Sequence, residues 1–128
     1  MRALLDTHVV LWWLGAAERL TATVRALLED PASEILVSSV SSAEIAIKHS
    51  LGRLVLPGAP SSLVTGLFRE DGFVPLPFEH AHAFELARLP LHHRDPFDRM
   101  LVAQARVEDV PLVTTDAKLG AYEVHLVW

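Results

Sequence analysis

Four carboxylates stand out in this chain: Asp6, Glu44, Asp98 and Asp116. Their contexts are Leu4-Leu5-Asp6-Thr7, Ser41-Ser42-Ala43-Glu44, Asp95-Pro96-Phe97-Asp98-Arg99 and Thr114-Thr115-Asp116. Each falls where an apolar strand-like run ends or a helical pattern begins. Brought to one place, four such groups repel one another unless something neutralises them. A hard divalent cation, which prefers charged oxygen donors, is the simplest candidate.

Each acid also has a purely structural reading. Asp6 can cap the helix that follows it, and Asp116 the turn at Ala117–Gly120. Ser41 and Glu44 have capping-box spacing, and Glu44 precedes Lys48 by one helical turn, as in a surface ion pair. Asp95 sits just before Pro96, the arrangement of an N-cap ahead of a first-turn proline, which places Asp98 in the first helical turn. Caps need only Ser, Thr or Asn, so four carboxylates at four such points exceed what capping requires.

The elements that must position these acids alternate between strand and helix. Short apolar runs at Ala3–Leu5, Glu34–Val37, Phe73–Leu76, Pro111–Thr114 and Val124–Val127 read as buried strands. Helical patterns cover Val9–Leu14, Thr21–Leu28, Val40–Leu51, Ser61–Glu70, Glu79–Leu89 and Asp95–Glu108, with turns at Arg53–Pro60 and Leu91–Arg94. Strands without polar alternation, separated by helices, predict a three-layer α/β/α fold around a short, mostly parallel sheet. Such sheets bind ligands beyond the carboxyl ends of their strands, where Asp6 and Asp116 fall and where Glu44 can reach.

The bulk properties narrow the class. With 128 residues, 51% of them hydrophobic, one domain over 1–128 is expected rather than a disordered chain. The mean hydropathy of +0.30 suggests apolar surface that a partner covers. The chain has no cysteine, which excludes thiolate chemistry and disulfides. The apolar stretches near the N-terminus are split by Asp6, Thr7 and His8 and are too short to span a bilayer, so a cytoplasmic protein is expected. A net charge of −5 argues against capture of nucleic acid by a basic surface, but not against a nucleic-acid enzyme whose cation supplies the positive charge.

Taken in order, Leu5-Asp6-Thr7-His8, Ser41 to Lys48 with Leu51-Gly52-Arg53-Leu54, His93 to Ala105, and Leu112-Val113-Thr114-Thr115-Asp116 resemble the PIN domain. The likeness is to the VapC-type toxins of bacterial toxin–antitoxin pairs in particular. It extends over nearly the whole chain, with the third run the most specific, and departs at Ala43, where many relatives carry a bulky aromatic. The resemblance implies a Mg²⁺- or Mn²⁺-dependent endoribonuclease whose acidic quartet is Asp6, Glu44, Asp98 and Asp116. It implies Asp6, Asp98 and Asp116 as metal ligands, with Glu44 either a ligand or the holder of the attacking water. It further implies an RNA substrate, a cognate antitoxin whose basic tail enters the acidic cleft, and a homodimer.

Thr7 and Thr115 are expected to orient the ligands from behind. Arg99 is expected to pair with Asp95, one turn away, or to meet a phosphate. Among the seven histidines, His92-His93 near Asp95 is the obvious place for zinc, but adjacent residues point apart and no second ligand pair accompanies them. Trp12-Trp13 cannot share one helix face, so one is expected in the core and the other at a partner surface. Three rival readings fit less well: a metal-binding phosphatase wants an Asp-x-Asp pair, which Asp6-Thr7-His8 lacks; a receiver-like signalling domain wants paired early acids and a late lysine, which Lys118 supplies poorly; a silent binding module needs no complete quartet.

Overall fold

A computed structural model describes all residues, 1–128. Five strands form one sheet in the order β3-β2-β1-β4-β5: β1 (Arg2–Leu5), β2 (Glu34–Ser38), β3 (Val74–Leu76), β4 (Leu112–Val113) and β5 (Leu126–Val127). Every pairing is parallel, so the sheet has no antiparallel edge. Register is set by pairs such as Leu4 with Leu36 and Leu5 with Val113.

Alternate side chains along the strands enter two separate cores. Ala3, Leu5, Ile35, Val37 and Val113 face one side, packed with Val9 and Val10 of α1 (Thr7–Gly15), Val24 and Leu28 of α2 (Ala22–Glu29) and Leu67 of α4 (Pro60–Arg69). Leu4, Leu36 and Leu112 face the other, against Leu101, Val102 and Ala105 of α6 (Pro96–Glu108) and the flank of α5 (His80–Arg88). Leu4 and Leu5 are fully buried on opposite faces. Truncating either to Ala costs about 3 kcal/mol through lost transfer and a residual cavity. No helix is long and apolar enough to cross a membrane.

The remaining helix, α3 (Ser39–Ser50), leaves β2 without a linker because Ser38 accepts a hydrogen bond from the Val40 amide at 2.9 Å. This corrects the capping box expected from Ser41 and Glu44: the N-cap is Ser38, so Ser41 and Glu44 already lie inside the helix. α1 likewise begins at Thr7 rather than Val9, directly after Asp6. The strands β4 and β5 are shorter than their apolar runs. Only Leu112–Val113 and Leu126–Val127 are paired as strand, and the turn before β5 passes through Glu123 at a left-handed φ of 58°.

Trp12 and Trp13 diverge as their helical spacing requires, yet neither is wholly in the core. Trp12 packs against Trp128 at 5.6 Å, whereas Trp13 packs on Phe73 at 5.7 Å and donates to Asp71.

Candidate active site

The carboxyl ends of β1 and β4 lie side by side, joined by the Asp6 amide donating to the Val113 carbonyl at 2.9 Å. This neighbouring pair brings Asp6 and the Thr114-Thr115-Asp116 turn together. Asp6 occupies the N-cap position of α1, but its side chain makes no capping bond. Its Oδ2 instead accepts from the Thr114 hydroxyl at 2.7 Å, and its buried Oδ1 has no partner. Burial pushes the Asp6 carboxyl up from its ordinary range, opposed by Thr114 and His8 and reinforced by Glu44.

Glu44 projects inward from α3 and is 3% exposed. Its Oε2 is paired with Lys48, one turn on, while Oε1 is buried and without a partner. The expected surface pair with Lys48 therefore forms, but its acid is buried. The pairing with Glu44 raises the Lys48 ammonium, and Asp95 and Asp98 add to it. Lys48 thus faces the acidic cluster. Ala43 is exposed, so the small residue that departs from the family pattern does not pack beneath Glu44.

Asp95 and Asp98 separate cleanly. Asp95 caps α6, its Oδ1 accepting from the amides of Phe97 at 2.9 Å and Asp98 at 3.1 Å. Asp98 has no such duty. Its carboxyl is pushed up to about 7, by burial first and then by the charges of Asp6, Asp95 and Glu44, against the pull of His93. Asp116 caps the 3-10 turn at Ala117–Tyr122 by accepting from the Lys118 amide at 3.1 Å, and its Oδ2 lies 3.1 Å from Nε2 of His93. All four expected acids therefore meet at one edge of the sheet: the charges of Asp6 and Glu44 act on Asp98, and Asp116 lies beside Asp98 against His93.

Some of the expected supporting residues do not. Thr115 is exposed; the buried hydroxyl that holds Asp6 belongs to Thr114, because the β4 backbone turns Thr114 inward. Thr7 does not reach the acids through its hydroxyl but shares a hydrogen bond with Ser41 at 2.9 Å, fastening α1 to α3. Arg99 does not pair with Asp95. Its guanidinium donates to the Pro90 and Leu89 carbonyls and to Tyr122 Oη, closing the loop before α6. His93 has no place among the site residues expected from sequence, yet its Nε2 and one oxygen each of Asp98 and Asp116 lie within 4.8 Å of one another. His92 turns away and packs on Tyr122 at 5.1 Å. The useful signal was position: His93 lies two residues before the Asp-Pro cap, where the loop must pass the carboxylates.

The donor set fits a hard divalent cation. Two buried carboxylate oxygens lack any partner, the surrounding acids raise one another's affinity for positive charge, and no soft ligand is present. Fold and site together define a small parallel α/β protein with an acidic centre at the carboxyl edge of its sheet.

Residues 3–124 match the family model described as the PIN domain, and the chain belongs to that family. Ribonuclease VapC16 of Mycobacterium tuberculosis is 40% identical over 67 residues, a stretch covering 52% of this chain and 47% of that protein. The match thus spans less than half of that relative's length. Among solved structures, VapBC2 from Rickettsia felis, bound to a DNA fragment from their promoter, aligns with a TM-score of 0.75 at 16% identity, covering 99% of this chain and 98% of that one. VapBC from Salmonella typhimurium aligns at 0.73 and 15%, covering 99% and 97%, and FitAcB from Neisseria gonorrhoeae at 0.67 and 22%, covering 98% and 96%. Those likenesses establish the three-layer fold with its parallel sheet.

Proposed function

We propose that this chain is a divalent-metal-dependent endoribonuclease and the toxin half of a toxin–antitoxin pair. The observation that carries the reading is the pair of buried, unpartnered carboxylate oxygens, Asp6 Oδ1 and Glu44 Oε1, in the same acidic cluster as Asp98. A folded protein leaves such oxygens bare at considerable cost unless a ligand completes them. Family membership and the partial match to a ribonuclease VapC16 point that ligand toward phosphodiester hydrolysis.

In this reading Asp6, Asp98 and Asp116 hold the ion, Mg²⁺ or Mn²⁺. When bound, it offsets the charge of the phosphodiester, lowers the pKa of an attacking water and stabilises the leaving oxygen. The protein's own groups do the rest. Thr114 fixes Oδ2 of Asp6, so that Oδ1 has one orientation. Lys48 fixes Oε2 of Glu44, leaving Oε1 to hold the attacking water in line and take its proton. Lys48, beside the cluster and partly exposed, balances charge where the RNA backbone enters.

The partners follow from the same cluster. An antitoxin tail bearing an Arg or Lys would place its cation among Asp6, Glu44 and Asp98. The neighbouring VapBC and FitAcB structures have the same fold. Exposed Ile47, Leu51 and Val55, at and beyond the end of α3, and Trp128 offer apolar surface for the antitoxin or for a second copy in a homodimer working in the cytoplasm.

The rival readings lose ground. The phosphatase needs a second acid where His8 stands, and the receiver-like domain does not belong to this family. The test is cleavage of RNA in Mg²⁺, Mn²⁺ or EDTA by wild type, Asp6→Asn and Asp98→Asn. Cleavage is expected only from wild type with metal. Cleavage that survives EDTA and both substitutions overturns the mechanism.

A further inference from the structure

We propose that His93 is a positioning residue of the acidic centre: through its Nε2–H it holds Asp116 against Asp98 and sets the spacing of two cation-binding carboxylates, without itself binding the cation. The inference rests on the metal-dependent reading above and assigns a role to a residue outside the acidic quartet.

The tautomer is fixed by geometry. The backbone amide of Asp95 donates to Nδ1 of His93 at 3.1 Å. A backbone N–H can only donate, so Nδ1 carries the lone pair and the ring proton sits on Nε2. That proton points to Asp116 Oδ2 at 3.1 Å, with Asp98 Oδ2 at 3.6 Å. A ring that bound a cation through Nε2 would need its proton on Nδ1, facing the Asp95 N–H. The two donors would then collide.

The loop that carries the ring is held from behind. The His93 amide donates to Tyr122 Oη at 2.7 Å and the His92 amide to the same oxygen at 3.1 Å. Tyr122 is itself 1% exposed. Arg99 closes the loop onto the Leu89 and Pro90 carbonyls. Asp116 is gripped at both oxygens, Oδ1 by the Lys118 amide and Oδ2 by His93. Each of those oxygens keeps a lone pair for a cation. Hydrogen bonds to a ligating carboxylate from behind typically change metal affinity by about 10–100-fold when removed.

The test is isothermal titration of Mg²⁺ and of Mn²⁺ into metal-free wild type, His93→Ala, His93→Gln and His93→Asn. Glutamine can place an amide donor near the position of Nε2; asparagine is too short. The Ala and Asn variants are expected to bind both ions roughly 10-fold or more weakly, by the same factor for each, and Gln to bind within a few-fold of wild type. If Ala does not fold, the contrast between Gln and Asn decides the matter. A loss for Mn²⁺ much larger than for Mg²⁺ overturns the proposal by making His93 a nitrogen ligand, and undiminished binding in Ala or Asn overturns it outright. Failure of wild type to bind either ion overturns the metal-dependent reading and this inference with it, and is told apart from the other failures by the wild-type titration alone.

Discussion

The Thr114 hydroxyl donates to one oxygen of Asp6 at 2.7 Å and leaves the other buried and bare. Thr114 is at the end of β4 and Asp6 at the end of β1, so the contact reads out the parallel register of two neighbouring strands. It also fixes which oxygen remains for a cation. In the metal-free protein, Thr114→Val removes the donor and leaves Asp6 with no side-chain partner. Stability in urea is expected to fall by about 1–3 kcal/mol. Thr114→Ser, which keeps the hydroxyl, should recover most of it. Equal stability of Val and wild type would show that the bond contributes nothing.

Asp98 makes metal-free stability depend on pH in an unusual direction. Its carboxyl is held up to about 7 in the folded protein, against 3.8 for a free side chain. Between those values the folded state keeps a proton that the unfolded chain has lost. Stability therefore falls as pH rises from 4 to 7. The buried Asp6, also raised, acts in the same sense. Glu108 acts oppositely: His82 holds its carboxyl below 4.5, so its contribution is lost only at more acid pH. The EDTA-treated protein should melt at least about 4 °C higher at pH 5 than at pH 7. Asp98→Asn should flatten that dependence and be the more stable of the two at pH 7. A wild-type melting temperature that is level or climbing between pH 5 and 7 contradicts the crowded-acid picture.

Metal binding should act against the same protonation. A cation at Asp98 must displace its proton, so affinity for Mg²⁺ should drop as pH falls below 7, and binding at pH 6.5 should release protons. Calorimetry in two buffers of different ionisation enthalpy measures that release. Saturating Mg²⁺ should also raise the melting temperature of wild type more than that of Asp98→Asn. Equal shifts would remove Asp98 from the ion's neighbours.

Three of the four acids, Asp6, Asp98 and Asp116, were legible in the sequence because strand ends and helix starts leave local marks: Leu4-Leu5 before Asp6, Leu112-Val113 before Thr114, Pro96 before Asp98. The same local marks separated Asp95 as a cap from Asp98. What the sequence hid depends on which way a side chain turns at the end of a strand, or on how a loop folds back. Thr114 and Thr115 are adjacent and chemically identical, and only the path of the chain leaving β4 decides that Thr114 is the buried one that faces Asp6. Arg99 has the spacing to reach Asp95, but Asp95 already accepts from two amides, and carbonyls of the Leu89-Pro90 turn lie closer. His93 is brought to Asp116 by the loop held on Tyr122, a contact between residues 29 apart in the chain. No periodicity carries that information.

Lys48 is the cation paired with Glu44 in the acidic centre. Its ammonium lies on Oε2 of a glutamate that is almost wholly buried, whereas Lys48 itself is part exposed. Lys48→Met keeps the aliphatic stem and removes the charge. Glu44 then stays buried with neither oxygen paired, at an expected cost of about 2 kcal/mol in EDTA. A divalent cation offers the cluster the positive charge that the substitution removed. Mg²⁺ is therefore expected to raise the melting temperature of Lys48→Met by more than it raises that of wild type. RNA cleavage should nevertheless fall, because Glu44 is no longer held in one orientation. The double variant Lys48→Met with Glu44→Gln should recover stability in EDTA without recovering cleavage. If Mg²⁺ stabilises Lys48→Met no more than wild type, Glu44 lies outside the reach of the ion, and its role is confined to the attacking water.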